Sequence, residues 1–366
     1  MKRLFFLFLV AVLPCLRAET IDTLIAEARQ ANPELKYYEA QVAAMPKAAT
    51  TASPIITQPL DFPSRESMRE ALLNLDKELA SLYLAEFRFA LAAKVRLKAI
   101  AYQGAKESAT AAADLAARIQ ALVKMLEQRP AAGTESLIER RILEGVALPF
   151  VRTAAEQKIA AEQWRIALNG LLGRAPEAAL EVTDAFALPP SDELPAPPER
   201  LLLALRKAEL TRGLAGFDPI SSVEAYDVGS WFTQEGLGAF ATNENVTQPG
   251  STTIPHRERL LADAQRKIER EITRRTAAYQ SAREVAKAIP SDLIQNLAAV
   301  AELADRQYRV GALPVNLLIE ANREWLSSLE SRNETVLQVW RNRLDLELLQ
   351  LPAPHRMGTI TVNPKN

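Results

Sequence analysis

LLNLDKELASLYLAEFRFALAAKVRLKAI, residues 72–100, places Leu72, Leu75, Leu79, Leu82, Phe89, Ala93 and Ile100 at successive spacings of 3, 4, 3, 7, 4 and 7. Apolar side chains spaced this way fall on one seam of an α-helix, as in a coiled coil. The pattern extends outward in both directions, resuming at Leu115, Ile119, Leu122 and Leu126, and no proline or turn cluster interrupts Ser64 to Gln128. A helix of that length is about 100 Å long at 1.5 Å per residue, too long for the inside of a globular domain of this size. The stretch reads as an extended rod that must pack laterally against other helices.

Breaker clusters separate it from further rods: Pro46 to Pro63, Arg129 to Gly133, Pro189 to Pro198, Pro219 to Pro255, and Pro352 onward. A second rod is expected over Thr134 to Leu172, kinked at Pro149, and a third over His256 to Val310, kinked at Pro290. The fourth, Pro314 to Gln350, carries Leu318, Ala321, Trp325, Leu329, Val336, Trp340 and Leu344 along one face. Shorter helices are expected at Thr20 to Ala44 and Glu199 to Ala215.

Composition agrees with a mainly helical chain. Of 366 residues, 61 are Ala and 51 are Leu, both strong helix formers, against only 13 Gly. That balance speaks against a Gly-rich nucleotide-binding sheet and against an all-β fold. With 44 basic and 45 acidic residues there is no cationic excess to neutralise a phosphate backbone, so no nucleic acid is expected as partner. Two His and one Cys supply little material for a metal site or a nucleophilic triad. His256 and His355 lie far apart with no clustered ligands around them, and neither a cofactor nor an enzyme activity is expected.

Residues 1–18 carry Lys2 and Arg3, the apolar run Leu4 to Leu13, then Pro14 and Leu16-Arg17-Ala18, which reads as a secretory signal peptide cleaved after Ala18. The run is too short to span a bilayer, which needs roughly 20 apolar residues, so a permanent anchor is the weaker alternative. Cys15 is the only cysteine and lies inside this segment. Lipidation at Cys15 is a further alternative, disfavoured by Pro14 where such signals carry a small residue.

The order short helix, breaker region, long helix, turn, long helix occurs twice. A shift of 178 residues carries Gly133 onto Gly311, Leu24 onto Leu202 and Ala26 onto Ala204. The chain therefore divides into a signal peptide, 1–18, a first repeat, 19–190, a second repeat, 191–351, and a tail, 352–366.

Three segments carry a family resemblance. TIDTLIAEARQANPELKYYEAQVAA (Thr20 to Ala44), with its Asn32-Pro33 step, resembles the opening helix of the TolC-type outer-membrane efflux channels. LNGLLGRAP (Leu168 to Pro176) resembles the end of that family's first hairpin. YRVGALPVNLLIEANR (Tyr308 to Arg323) resembles the periplasmic tip of its second. The resemblance implies a homotrimer whose tandem coiled-coil hairpins form an elongated helical barrel in the periplasm, continued by a β-barrel in the outer membrane. It implies a passive exit duct for small molecules or metal ions, driven by an inner-membrane pump through a periplasmic adaptor.

It also implies sites. Arg309, Val310, Gly311, Ala312 and Leu313 would touch the adaptor, with Arg129 and Gly133 as first-repeat counterparts. A turn joining two helices remains the plain alternative for this segment. Glu320 matches an acidic position that rings the lumen from three chains, the alternative being a solvated face. A second acidic position three residues earlier is Leu317 here.

The membrane part departs from the family. A spanning strand needs about 9–11 residues, yet the first repeat offers only residues 46–62, with three prolines. In the second, residues 220–254 include Tyr226, Trp231, Phe232 and Phe240, but Glu224, Asp227, Glu235 and Glu244 break any apolar face. One hairpin from each of three chains makes six strands, fewer than the eight of the smallest outer-membrane barrels. A short or incomplete β-hairpin region is therefore expected, and a periplasmic helical relative without a working barrel is the alternative reading.

Overall fold

The computed structural model describes residues 19–44, 63–128, 134–184, 186–189 and 254–350. The signal peptide, Cys15, both candidate barrel segments, the expected helix at Glu199 to Ala215 and the tail lie outside these residues. Seven helices occupy the described chain: α1 (Ile21–Ala31), α2 (Pro33–Ala44), α3 (Pro63–Glu127), α4 (Thr134–Leu172), α5 (Ile254–Ala288), α6 (Ser291–Arg309) and α7 (Val315–Gln350). The only β pairing among described residues is a parallel bridge between Glu19 and Val182.

The expected opening helix is two helices. Thr20 caps α1, its Oγ1 accepting the Thr23 amide at 3.3 Å. The residue before a proline is pushed out of helical space, and Asn32 is extended at φ −62°, ψ 115°. Its side chain turns that break into a start, since Asn32 Oδ1 accepts the Leu35 amide at 2.8 Å with Pro33 in the first position of α2.

The two internal prolines behave differently. Helix α4 runs through Pro149 without a break. Val146, Ala147 and Phe150 around it are buried in the same cluster as the α3 seam, so packing holds the segment helical on both sides. At Pro290 the expected single rod divides into α5 and α6. Pro290 is extended at φ −70°, ψ 157° and is followed by Ser291-Asp292, which opens α6 with a carboxylate in its first turn.

Cross-helix contacts set the directions. Asp22 meets Arg96 at 2.7 Å and Glu39 meets Arg88 at 2.6 Å, so α1 and α2 run antiparallel to α3. Helix α7 also opposes α3, with the Arg96 guanidinium 4.4 Å from the Trp340 ring and Asn333 Nδ2 donating to the Gly104 carbonyl at 3.3 Å. Helix α5 opposes α7 through an Arg275–Asp345 ion pair and an Asn342–Ala278 hydrogen bond of 3.3 Å. The rods thus have two unlike ends. At one, Leu126 and Leu143 share a buried cluster with Tyr308 and Leu318, bringing the α3–α4 and α6–α7 connections together. At the other lie the N-termini of α3 and α5.

A belt ties the rods midway. Helix α4 ends at Gly173, φ +68°, in a Schellman closure, with the Arg174 amide on the Asn169 carbonyl at 2.9 Å and the Gly173 amide on Gly170 at 3.4 Å. The following segment has no sheet ladder, so side chains from three helices satisfy its carbonyls. Asn169 Nδ2 and Arg165 Nη1 both donate to Ala178 O, at 2.9 and 2.6 Å. Tyr102 Oη reaches Leu180 O at 2.9 Å, and Trp340 Nε1 reaches Ala187 O at 2.8 Å.

The α3 seam is buried at Leu82, Ala93, Ile100, Leu115, Ile119, Leu122 and Leu126. The α7 seam is rotated from the expected one: Leu318, Leu329, Val336, Trp340 and Leu344 are buried, but Ala321 and Trp325 are only partly so, and Asn322 and Asn333 are buried instead.

Two outcomes test this packing. At Gly173 a Cβ would sit 3.2 Å from Ala31 Cβ on a left-handed backbone, whereas a Cβ at helical Gly170 meets nothing within 4 Å. Gly170→Ala should stabilise by about 0.5–1 kcal/mol and Gly173→Ala should destabilise by more than that, read as opposite shifts of the thermal midpoint. The Glu271 carboxyl is held down to about 2, chiefly by its hydrogen bond from Arg274 and then by Arg275. Its folded value lies below its ordinary one, so its contribution is complete above about pH 5 and is lost as pH falls towards about 2. Glu271→Gln should therefore flatten the acid limb of the thermal midpoint over that window while leaving its neutral-pH slope unchanged.

Candidate functional site

The tip is built by the closure of α6. Gly311, φ +79°, takes the left-handed position after Val310; its amide donates to Tyr308 O at 3.0 Å and the Ala312 amide to Gln307 O at 2.9 Å. This double bond reverses the chain within a few residues, and α7 begins at Val315. Tyr308 and Leu318 flank the turn and are buried. Leu313 is half-buried against their cluster, so the turn is anchored from beneath.

What remains outward is small and apolar. Val310 is 75% exposed, Ala312 is exposed, and nothing lies within 4 Å of a Cβ built on Gly311. Arg309 is half-committed, paired with Asp305 at 2.9 Å. The five expected tip residues therefore form one surface feature, except that Leu313 points largely into the core. Arg129 and Gly133 lie outside the described residues.

Glu320 is exposed on α7, with Leu317 45% exposed one turn nearer the tip. The sequence reading stopped at Glu320, but the same face continues: Glu324, Ser327, Ser331, Glu334 and Gln338 follow at spacings that return to one side of the helix. Of these, Glu324 accepts only a weak 3.5 Å contact from Ser328. The stripe carries three carboxylates and two hydroxyls along about five turns, with exposed Arg323 and Arg341 at its edge.

Two apolar stripes are exposed elsewhere on the rods. On α4, Leu137, Leu148 and Ile159 recur every 11 residues, followed by Ile166. On α5 and α6, Val285 precedes Leu293, Val300, Leu303 and Val310. Such periodic rows read as helix-packing seams on which no helix lies among the described residues. Trp164 is 38% exposed beside the α4 row, with Lys98 Nζ 5.2 Å from its ring.

Among the described residues no three His, Cys, Asp or Glu side chains gather as metal ligands, and no helix is long and apolar enough to cross a membrane. Glu27, a carboxylate on α1, is bound by Arg174, whose Nε donates to Glu27 Oε1 at 2.6 Å. The partner is far away in sequence, and no local spacing points to it.

The chain matches no protein-family model and no curated protein. Solved structures do match it. It is similar to the outer-membrane channel OprN, at 14% identity and a TM-score of 0.61, over 90% of this chain and 89% of that one. It is similar to CusC, at 14% identity and 0.59, over 91% and 92%. It is similar to the Campylobacter jejuni outer membrane channel CmeC, at 10% identity and 0.57, over 90% and 85%. At such identities the likeness is one of fold: these long antiparallel helices have the fold of the TolC-like outer-membrane channels.

Proposed function

We propose that this protein is the outer-membrane duct of a tripartite efflux system, a passive exit path for small molecules or metal ions. The observation that carries this reading is the division of the described rod surface into a carboxylate-bearing polar stripe on α7 and two exposed apolar seams on α4 and α5–α6. Rods with apolar seams on their flanks bury them by standing side by side with further copies. Each large apolar side chain so covered contributes about 1.5–3 kcal/mol. Three copies arranged as a tube would leave Glu320, Glu324 and Glu334 facing a common lumen, where repeated carboxylates favour cations over anions.

In this arrangement the tip residues Arg309, Val310, Gly311, Ala312 and Leu313, with Arg129 and Gly133, meet a periplasmic adaptor that links the duct to an inner-membrane pump. The opposite end, which receives residues 45–62 and 190–253, faces the outer membrane. Most of the chain then stands in the periplasm, and the two repeats supply alternate pairs of rods.

Fractionation tests the membrane claim. The protein should remain with outer membranes after a carbonate wash; quantitative release would replace the duct reading by that of a periplasmic helical relative without a barrel. For the tip, Gly311→Asp puts a charged side chain on a left-handed backbone in open space. It should leave cross-linked trimers intact while abolishing export of dyes or metals from cells. Normal export by that variant would remove the adaptor assignment.

A further inference from the structure

Glu19, the residue that follows the cleavage site read from the sequence, is held on every side. Its amide donates to Glu181 O at 2.9 Å, and its carbonyl accepts the Thr183 amide at 3.1 Å, which makes the bridge to Val182. Its carboxylate takes both oxygens to Arg174 Nη2, at 2.9 and 3.0 Å. The same guanidinium holds Glu27 through Nε and through the Nη2 it shares with Glu19, and Asp184 Oδ1 accepts the Ile21 amide at 2.8 Å. Arg174 stands where the Schellman turn at Gly173 delivers it. One half-buried edge of the belt therefore grips Glu19 by its backbone and its carboxylate.

We infer that Glu19 is the first residue of the mature protein and that Arg174 latches this terminus into the belt, out of reach of any lipid anchor on Cys15. Export peptidases read an extended segment across the bond they cut. In the latched fold both backbone groups of Glu19 are already engaged. Cleavage therefore comes first: water adds across the Ala18–Glu19 bond, leaving a carboxylate on Ala18 and an ammonium on Glu19. That ammonium keeps a proton for the Glu181 carbonyl, and the latch closes on it.

Lengths exclude the lipid alternative. The latch lies at the level of Arg96, which binds Asp22 at 2.7 Å. Arg96 is about 50 Å along α3 from its start at Pro63, the end that faces the membrane in the proposed function. Residues 15–18 span at most about 14 Å fully extended. An acyl chain on Cys15 cannot bridge that gap while Glu19 is latched. This distance step rests on the proposed function; the latch does not.

The test uses the full chain, exported and purified. N-terminal sequencing and intact mass should give a chain that begins at Glu19, with no radiolabelled palmitate incorporated. A broad aminopeptidase should scarcely trim the wild type. It should trim Arg174→Ala about tenfold to a hundredfold faster, because bonds between charged groups hold the terminus. Glu19→Gln, which keeps the Arg174–Glu27 pair, should fall between them, with helical circular dichroism unchanged, and this variant serves where Arg174→Ala fails to fold. A palmitoylated chain beginning at Cys15, or equal trimming of wild type and Glu19→Gln, overturns the latch. Carbonate release of a protein whose Glu19 terminus is protected upholds the latch and removes only the membrane reading.

Discussion

A helix of 65 residues cannot bury its own apolar seam, and α3 is such a helix. Everything else in the described chain answers to that constraint. Helices α4 and α7 run back along it, α1 and α2 cover its middle, and α6 joins near its far end. Antiparallel lateral packing leaves long faces that the described helices do not cover. The exposed rows on α4 and on α5–α6 are the remainder of the same geometry.

Rods that touch only side by side are free to slide, and the belt removes that freedom. Asn169, Arg165, Tyr102 and Trp340 come from α4, α3 and α7 and converge on carbonyls of one irregular segment. Each bond is directional, so together they set the register that apolar seams leave loose. Asn333 adds a polar contact to the α3–α7 seam through the Gly104 carbonyl. Glu19 enters the same belt through Val182 and Arg174, so the segment that sets register also fixes the lead into α1.

The tip shows how much local chemistry is legible. Tyr308, Gly311 and Leu318 follow the turn pattern that their sequence announces, because a helix C-terminus is closed by its own neighbours within six residues. The Asn32-Pro33 break is equally local, yet the sequence reading carried one helix across it: a helical pattern on both sides hides a stop that is also a start. Pro149 and Pro290 are the same residue type in similar patterns. Only the packing of Phe150 and the polar start at Ser291-Asp292 separate their outcomes.

By itself the sequence determined where the long rods run, though not the breaks at Asn32 and Pro290, because their course depends on the 3.6-residue period and on breakers a few residues apart. It also marked Glu320, though not the stripe beyond it. Tertiary structure alone decided which carboxylates are structural. Glu27 and Glu19 are separated from Arg174 by 147 and 155 residues, and nothing short of the folded α1–α4 contact brings them to one guanidinium. The same holds for the rotation of the α7 seam towards Asn322 and Asn333. A helix facing several neighbours at once settles into the orientation that buries most against all of them, and that sum is not written in any single helix.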